Sequence, residues 1–136
     1  MKRTISMIAI AITISMGAFA QKMSSKKVPI AVKTAFTKEY AEATDIKWDK
    51  EKSDYEASFK MKGEDLSVLF SSEGKVIETE KGIAATELPT SVQTALKGKK
   101  IKEAAIITKN GKTYYEAEVG GRDFFFDAQG KTIDKL

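Results

Sequence analysis

Residues 28–36 read "VPIAVKTAF", and sixty positions later residues 88–96 read "LPTSVQTAL". These two segments hold both prolines of the 136-residue chain. In the first, Val28, Val32, Ala35, Phe36, Tyr40 and Ala43 recur at spacings of three and four, which draws one apolar stripe along a helix. Leu88, Val92, Ala95 and Leu96 repeat that stripe. Proline fits the first helical turn, where its missing N–H would lack an intrahelical partner anyway. The spacing predicts helices over 29–42 and 89–98, the second ended early by Gly98.

After each helix the apolar period drops from 3.6 to 2. In "SDYEASFKM" (53–61), Tyr55, Ala57, Phe59 and Met61 alternate with Asp54, Glu56, Ser58 and Lys60. In "TYYEAEV" (113–119), Tyr115, Ala117 and Val119 alternate with Tyr114, Glu116 and Glu118. The tripeptide "YEA" stands at 55–57 and 115–117, again sixty apart. Further on, "LSVLF" (66–70) answers to "DFFF" (123–126), and "SSEGKVI" (71–77) to "DAQGKTI" (127–133). The offset there is 56, so the second copy has lost four residues between its middle strands, a loss assigned to the hairpin loop. Asn110-Gly111 is a strong two-residue hairpin signal. Trp48 alternates with Ile46 and is expected to pack in the core.

The fold class that follows is α+β: a two-layer sandwich of tandem α-β4 repeats. Eight antiparallel strands form one sheet, with two helices on one face. Repeat one is expected over 28–80 and repeat two over 88–136, joined by a linker at 81–87. Residues 21–27, "QKMSSKK", read as a mobile leader. Residues 1–20 have the layout of a cleavable secretory signal: Lys2 and Arg3, an apolar run from Ile5 to Met16, then Ala18-Phe19-Ala20. Cleavage after Ala20 would leave a periplasmic or secreted domain of residues 21–136, with no membrane attachment.

Without Lys2 and Arg3, 21 basic residues face 19 acidic ones, a net charge of +2 with the signs mixed along the chain. That is a solvated surface rather than the basic stripe of a nucleic-acid binder. The chain has neither cysteine nor histidine, so disulfide support and Ser-His-Asp or Cys-His catalysis are excluded. The usual zinc, copper, haem and iron–sulfur ligands are missing for the same reason. "SSKK" (24–27) matches the S-x-x-K pattern formally, but in a polar leader rather than at a buried helix start. No catalytic, cofactor or metal residues are assigned, and the chain is not expected to be an enzyme.

The doubled "P..V..A" helix start, Trp48 followed by "YEA.F", "F...GK.IE.E", and then "YYEAEV" with "F.F...GK" resemble the PepSY-like, β-lactamase-inhibitor-like family. The resemblance spans nearly the whole of 21–136. It implies tandem α-β4 repeats and a binding or inhibitory module. Tyr40-Ala41 stands where such proteins often close the first helix with Tyr-Pro, and no tyrosine follows the second helix.

Two helices cover one side of the sheet and leave the other open to water. By alternation, the open side should present Leu69, Tyr114 and Phe125 among Glu56, Ser58, Glu116 and Glu118. Glu56 and Glu116 hold matching places in the two copies, where pairing with lysines on an exposed face is the simplest expectation. Aromatics rimmed by charge suit a protein–protein contact, so an unidentified protein partner is expected there. The alternative is a carrier of a small ligand or peptide, with its pocket between helices and sheet.

Overall fold

The computed structural model describes residues 21–134 and 136; the expected signal, 1–20, lies outside them. In chain order the elements are β1 (Gln21–Met23), a 3-10 turn (Ser25–Lys27), α1 (Ile30–Glu39), β2 (Thr44–Glu51), β3 (Asp54–Met61), β4 (Glu64–Phe70) and β5 (Val76–Ile83). A second 3-10 turn (Ala85–Glu87) leads to α2 (Thr90–Ala95), followed by β6 (Ile101–Lys109), β7 (Lys112–Val119), β8 (Arg122–Asp127) and β9 (Thr132–Ile133). The strands lie side by side in chain order, antiparallel throughout, in one sheet.

The sheet has nine strands rather than the expected eight, because the polar leader is structured. Its Lys22 pairs with Asp49 and its Met23 with Trp48, and Ser24 caps the 3-10 turn at the amide of Lys26. Three residues are too few for alternation to show, but Met23 packs against the first core. Met23 and Ile83 are sixty positions apart, and each ends a strand just before a 3-10 turn. The stretch 81–87 therefore holds the end of β5 and the second turn. β5 closes the first copy and takes, in the second, the place that β1 has in the first.

Both prolines stand immediately before their helices, at φ −55°, rather than inside the first turn. Each proline carbonyl accepts the first helical bond, from the Lys33 and Gln93 amides at 3.0 Å. The preceding Val28 and Leu88 are both 3% exposed and pin the helix entrances. α1 stops at Glu39 because Tyr40 leaves helical geometry (φ −125°), although the apolar stripe runs on. Its Val32 and Phe36 lie on β2, β3 and β4. The Phe36 ring centre is 5.3 Å from Trp48, 5.0 Å from Phe59 and 6.4 Å from Phe70. Edge-to-face contacts of this kind are worth about 0.5–1.5 kcal/mol beyond burial, and Trp48 belongs to the core as expected. Val92 of α2 and Leu96, just past its end, pack on Ala104, Ala117 and Phe126.

The repeated "GK" has a steric cause. Gly74 (φ +84°) and Gly130 (φ +80°) bring the β4–β5 and β8–β9 loops against the two helix starts. A Cβ at Gly74 would lie 2.6 Å from the Ala31 carbonyl oxygen, and one at Gly130 would lie 2.7 Å from that of Ser91.

The four-residue loss in the second copy does not shorten the loop. Ala57 pairs with Val68 and Ala117 with Phe124, and a two-residue turn closes each hairpin, at 62–63 and 120–121. The loss comes as two residues from each strand. Pairs along an antiparallel ladder alternate between two hydrogen-bonding types, so an even loss sets the turn on the same type. In the β6–β7 hairpin, Asn110 and Gly111 both take positive φ, 52° and 72°, as a twist-matched two-residue turn requires.

Candidate functional site

The pairing register fixes which side chains share the sheet face that neither helix covers. One row across it runs Lys22, Asp49, Glu56, Leu69, Glu78, Lys109 and Lys112. The next runs Lys47, Ser58, Ser67, Glu80, Ile107, Tyr114 and Asp127. A third holds Gly82, Ala105, Glu116, Phe125 and Ile133. The expected face residues are thus brought together, with Glu118 one step further along β7 opposite Glu103 and Asp123.

The centre of this face is closed to water, contrary to expectation. Glu56 is 5% exposed, Glu80 2% and Ile107 1%, while Leu69, Glu78 and Glu116 are also buried. Leu69 therefore offers no exposed anchor, whereas Tyr114, Phe125 and Glu118 remain half-buried. Among the described residues, Glu56 and Glu116 do not make the expected lysine pairs. Oε1 of Glu56 accepts the Ser67 hydroxyl at 2.6 Å and the Ser58 hydroxyl at 3.4 Å, and Glu116 is hydrogen-bonded to Asp123. Lys109 lies 3.3 Å from Glu78, and exposed Lys102 lies 3.4 Å from Glu118.

This arrangement gathers like charges at low solvent access, and their proton affinities rise accordingly. Burial, reinforced by Glu116, Glu78, Glu56 and Asp123, pushes the Glu80 carboxyl up to about 9. Burial and then Asp123 raise Glu116 to about 8. Glu51, at the end of β2, is raised to about 8 by burial, then by its hydrogen bond to Glu56 and by the charges of Glu56, Glu78 and Asp49. Asp49 is raised by burial and Glu56, against the opposing pull of Lys22 and Lys47. Among the described residues, two carboxylate oxygens, Oε2 of Glu51 and Oε2 of Glu80, are buried without a hydrogen-bond partner. Neutral, proton-sharing acids are the low-cost state of such a cluster. The equivalent Glu56 and Glu116 flank Glu80, which belongs to the strand common to both copies.

Sequence reading missed Glu51, Glu78, Glu80 and Lys109. The alternation in "VIETE" (76–80) puts Glu78 and Glu80 on one side, but alternation reports a side and not a depth. Beside the carboxylates, Tyr114, Asp127, Gln129 and Ile133 line an open cavity of about 450 Å³ at the far end of β7 and β8. Among the described residues, no cluster of acidic side chains has the arrangement of a metal site.

The model of the family described as "Putative beta-lactamase-inhibitor-like, PepSY-like" matches the chain twice, over residues 18–78 and 68–134. The chain belongs to the PepSY-like family. The two PepSY-like matches overlap at 68–78, from within β4 into the start of β5. No curated protein matches the chain.

Among solved structures, the chain is similar to a Bacteroides eggerthii protein described as "putative periplasmic", at 20% identity and a TM-score of 0.72, over 80% of this chain and 88% of that one. It is also similar to a DUF2874 family protein of Bacteroides uniformis, at 23% identity and a TM-score of 0.69, over 77% and 86%. A BLIP-like protein of Bacteroides fragilis matches at 23% identity and a TM-score of 0.63, over 78% and 83%. At these identities the likeness shows the PepSY-like fold. Among the described residues, no helix is long and apolar enough to cross a membrane.

Proposed function

We propose that the protein is an exported, non-enzymatic binding module that regulates or inhibits an envelope or secreted enzyme through the sheet face opposite its helices. The observation that carries this reading is an asymmetry between the copies. Tyr114 and Phe125 stand half-buried beside Ile133 and the carboxylates, whereas their counterparts in the first copy are Asp54 and buried Leu69. An aromatic patch rimmed by acids has the composition of a protein contact. The family's description supports inhibition as the kind of effect. Export is supported by the signal layout of 1–20 and by the periplasmic description of one fold neighbour.

A ligand pocket between helices and sheet gains less support. The space under α1 is filled by Phe36, Trp48, Phe59 and Phe70, and that under α2 by Leu96, Ala104, Ala117 and Phe126.

The test is affinity capture from the native envelope with wild-type protein and with the double variant Tyr114→Ala, Phe125→Ala. Wild type should retain a saturable partner that the variant loses, with the variant's circular dichroism unchanged. Equal retention by both proteins, or none by wild type, rejects the reading.

A further inference from the structure

We propose that the helix layer is a docking surface for an anionic phospholipid bilayer, onto which the protein adsorbs with its uncovered sheet face turned outward. The near-even charge of the chain conceals a separation by layer. Residues 24–40 and 84–100 each hold a 3-10 turn, a helix and the residues beside them. They carry Lys26, Lys27, Lys33 and Lys38 in the first copy and Lys97, Lys99 and Lys100 in the second. Against these seven lysines stand two acids, Glu39 and Glu87, which leaves a net charge of +5. Glu87 is already engaged, since its carboxylate accepts the Ala84 amide at 2.7 Å. The opposite face has no such excess, for its rows set Asp49, Glu56, Glu78 and Glu80 among Lys22, Lys47 and Lys109.

None of the seven lysines is buried, and among the described residues none has a carboxylate partner. The ion pairs lie on or beside the strands instead, as between Lys60 and Asp65 or Lys81 and Glu64. Both helices pack on the same side of the sheet, so the lysines of the two copies border one surface. The equivalent strands β2 and β6 are four places apart, about 19 Å. An array of that width is too broad for a single small anion. Lysine is depleted from protein contacts, which disfavours an acidic partner protein. Ile30, the first residue of α1, is 79% exposed, the most of any large apolar side chain described. It stands one helical turn from Lys33. An apolar side chain among cations suits the boundary between lipid headgroups and acyl chains. Each lysine near an anionic bilayer strengthens attachment about fivefold. Such attachment is peripheral, needs no spanning helix and weakens as salt screens it. It goes beyond the partner-binding reading and uses neither Tyr114 nor Phe125.

The test is vesicle sedimentation with residues 21–136, which contain every described element and lack the apolar run of the signal. Vesicles of phosphatidylglycerol and phosphatidylcholine in equal parts should retain the protein, and phosphatidylcholine alone should not. About 1 M salt, where the screening length is about 3 Å, should release it. Lys26→Gln combined with Lys97→Gln and Lys99→Gln should weaken binding on the order of a hundredfold, with circular dichroism unchanged. Lys47→Gln combined with Lys52→Gln and Lys62→Gln removes the same charge from exposed sites elsewhere and should bind as wild type does. Ile30→Gln should weaken binding to the mixed vesicles but not to soluble polyphosphate. Equal loss in the two triple variants makes net charge the cause and overturns the proposal. Absence of vesicle binding, or equal binding to both vesicle types, overturns it as well. Polyphosphate binding as tight as vesicle binding, with Ile30→Gln affecting neither, makes the ligand a soluble polyanion and rejects the bilayer. An acidic protein captured through the same lysines, without vesicle binding, rejects it too. Vesicle binding should survive Tyr114→Ala, Phe125→Ala, so the failure of either surface leaves the other standing.

Discussion

Glu80 is among the largest fully buried side chains of the described residues, and its setting makes it costly when ionised. In the unfolded chain a glutamate titrates near 4.5, whereas in the fold Glu80 titrates near 9 and Glu51 and Glu116 near 8. Between those values the folded state holds protons that the unfolded state has lost, so unfolding releases protons and stability falls as pH rises. The contribution is complete below about pH 4.5, shrinks through the neutral range and levels off above about pH 9. Urea denaturation should therefore give a lower midpoint at pH 8 than at pH 5. Glu80→Gln should flatten that dependence and gain about 1–3 kcal/mol at pH 7.5, because the amide needs no proton taken up on folding. A midpoint that rises with pH would mean that these carboxylates are ionised in the fold.

At the scale of elements, each copy is closed by the same joint, a glycine loop set against its own helix start. Gly74 and Gly130 combine positive φ with a backbone carbonyl at contact distance, whereas Gly63 has positive φ and open space around it. Gly74→Ala and Gly130→Ala should each cost about 2–4 kcal/mol, from conformational strain and forced movement of a helix start together. Gly63→Ala should cost about 1 kcal/mol, from strain alone. Chemical denaturation of the three variants checks the ranking. The elements were largely legible in the sequence, because helix and strand periods differ and the turns carry Asn-Gly, Gly-Gly and Lys-Gly. What escaped was β1, whose three residues contain no period, and the true end of α1, where the stripe outlasts the helix. The contraction between β7 and β8 was seen but misplaced, since an alignment offset counts residues without saying which are paired.

For the molecule as a whole, β5 binds the copies into one object. Its Thr79 lies between Val68 of the first copy and Thr108 of the second, and its Ile83 packs against the second core. Neither copy is complete without it. A fragment of residues 76–136, which includes β5, should show more strand and helix by circular dichroism than a fragment of residues 84–136, which lacks it. Equal spectra would mean that the second copy folds without the shared strand. The uncovered face is also a property of the whole sheet, which explains why only its outline could be read from sequence. Tyr114, Phe125, Glu56 and Glu116 were placed on the correct side by alternation. Their depth depends on nine strands lying edge to edge, a fact that no local stretch contains.

The paired shortening of the β7–β8 hairpin carries a rule about how such a chain can change length. Because two residues left each strand, the turn landed on an equivalent rung and every remaining pair kept its partner. Removing one residue from each strand would seat the same turn on the other kind of rung, where its closing bonds cannot form. With this two-residue turn and no bulge, hairpin length thus changes in steps of four residues rather than one.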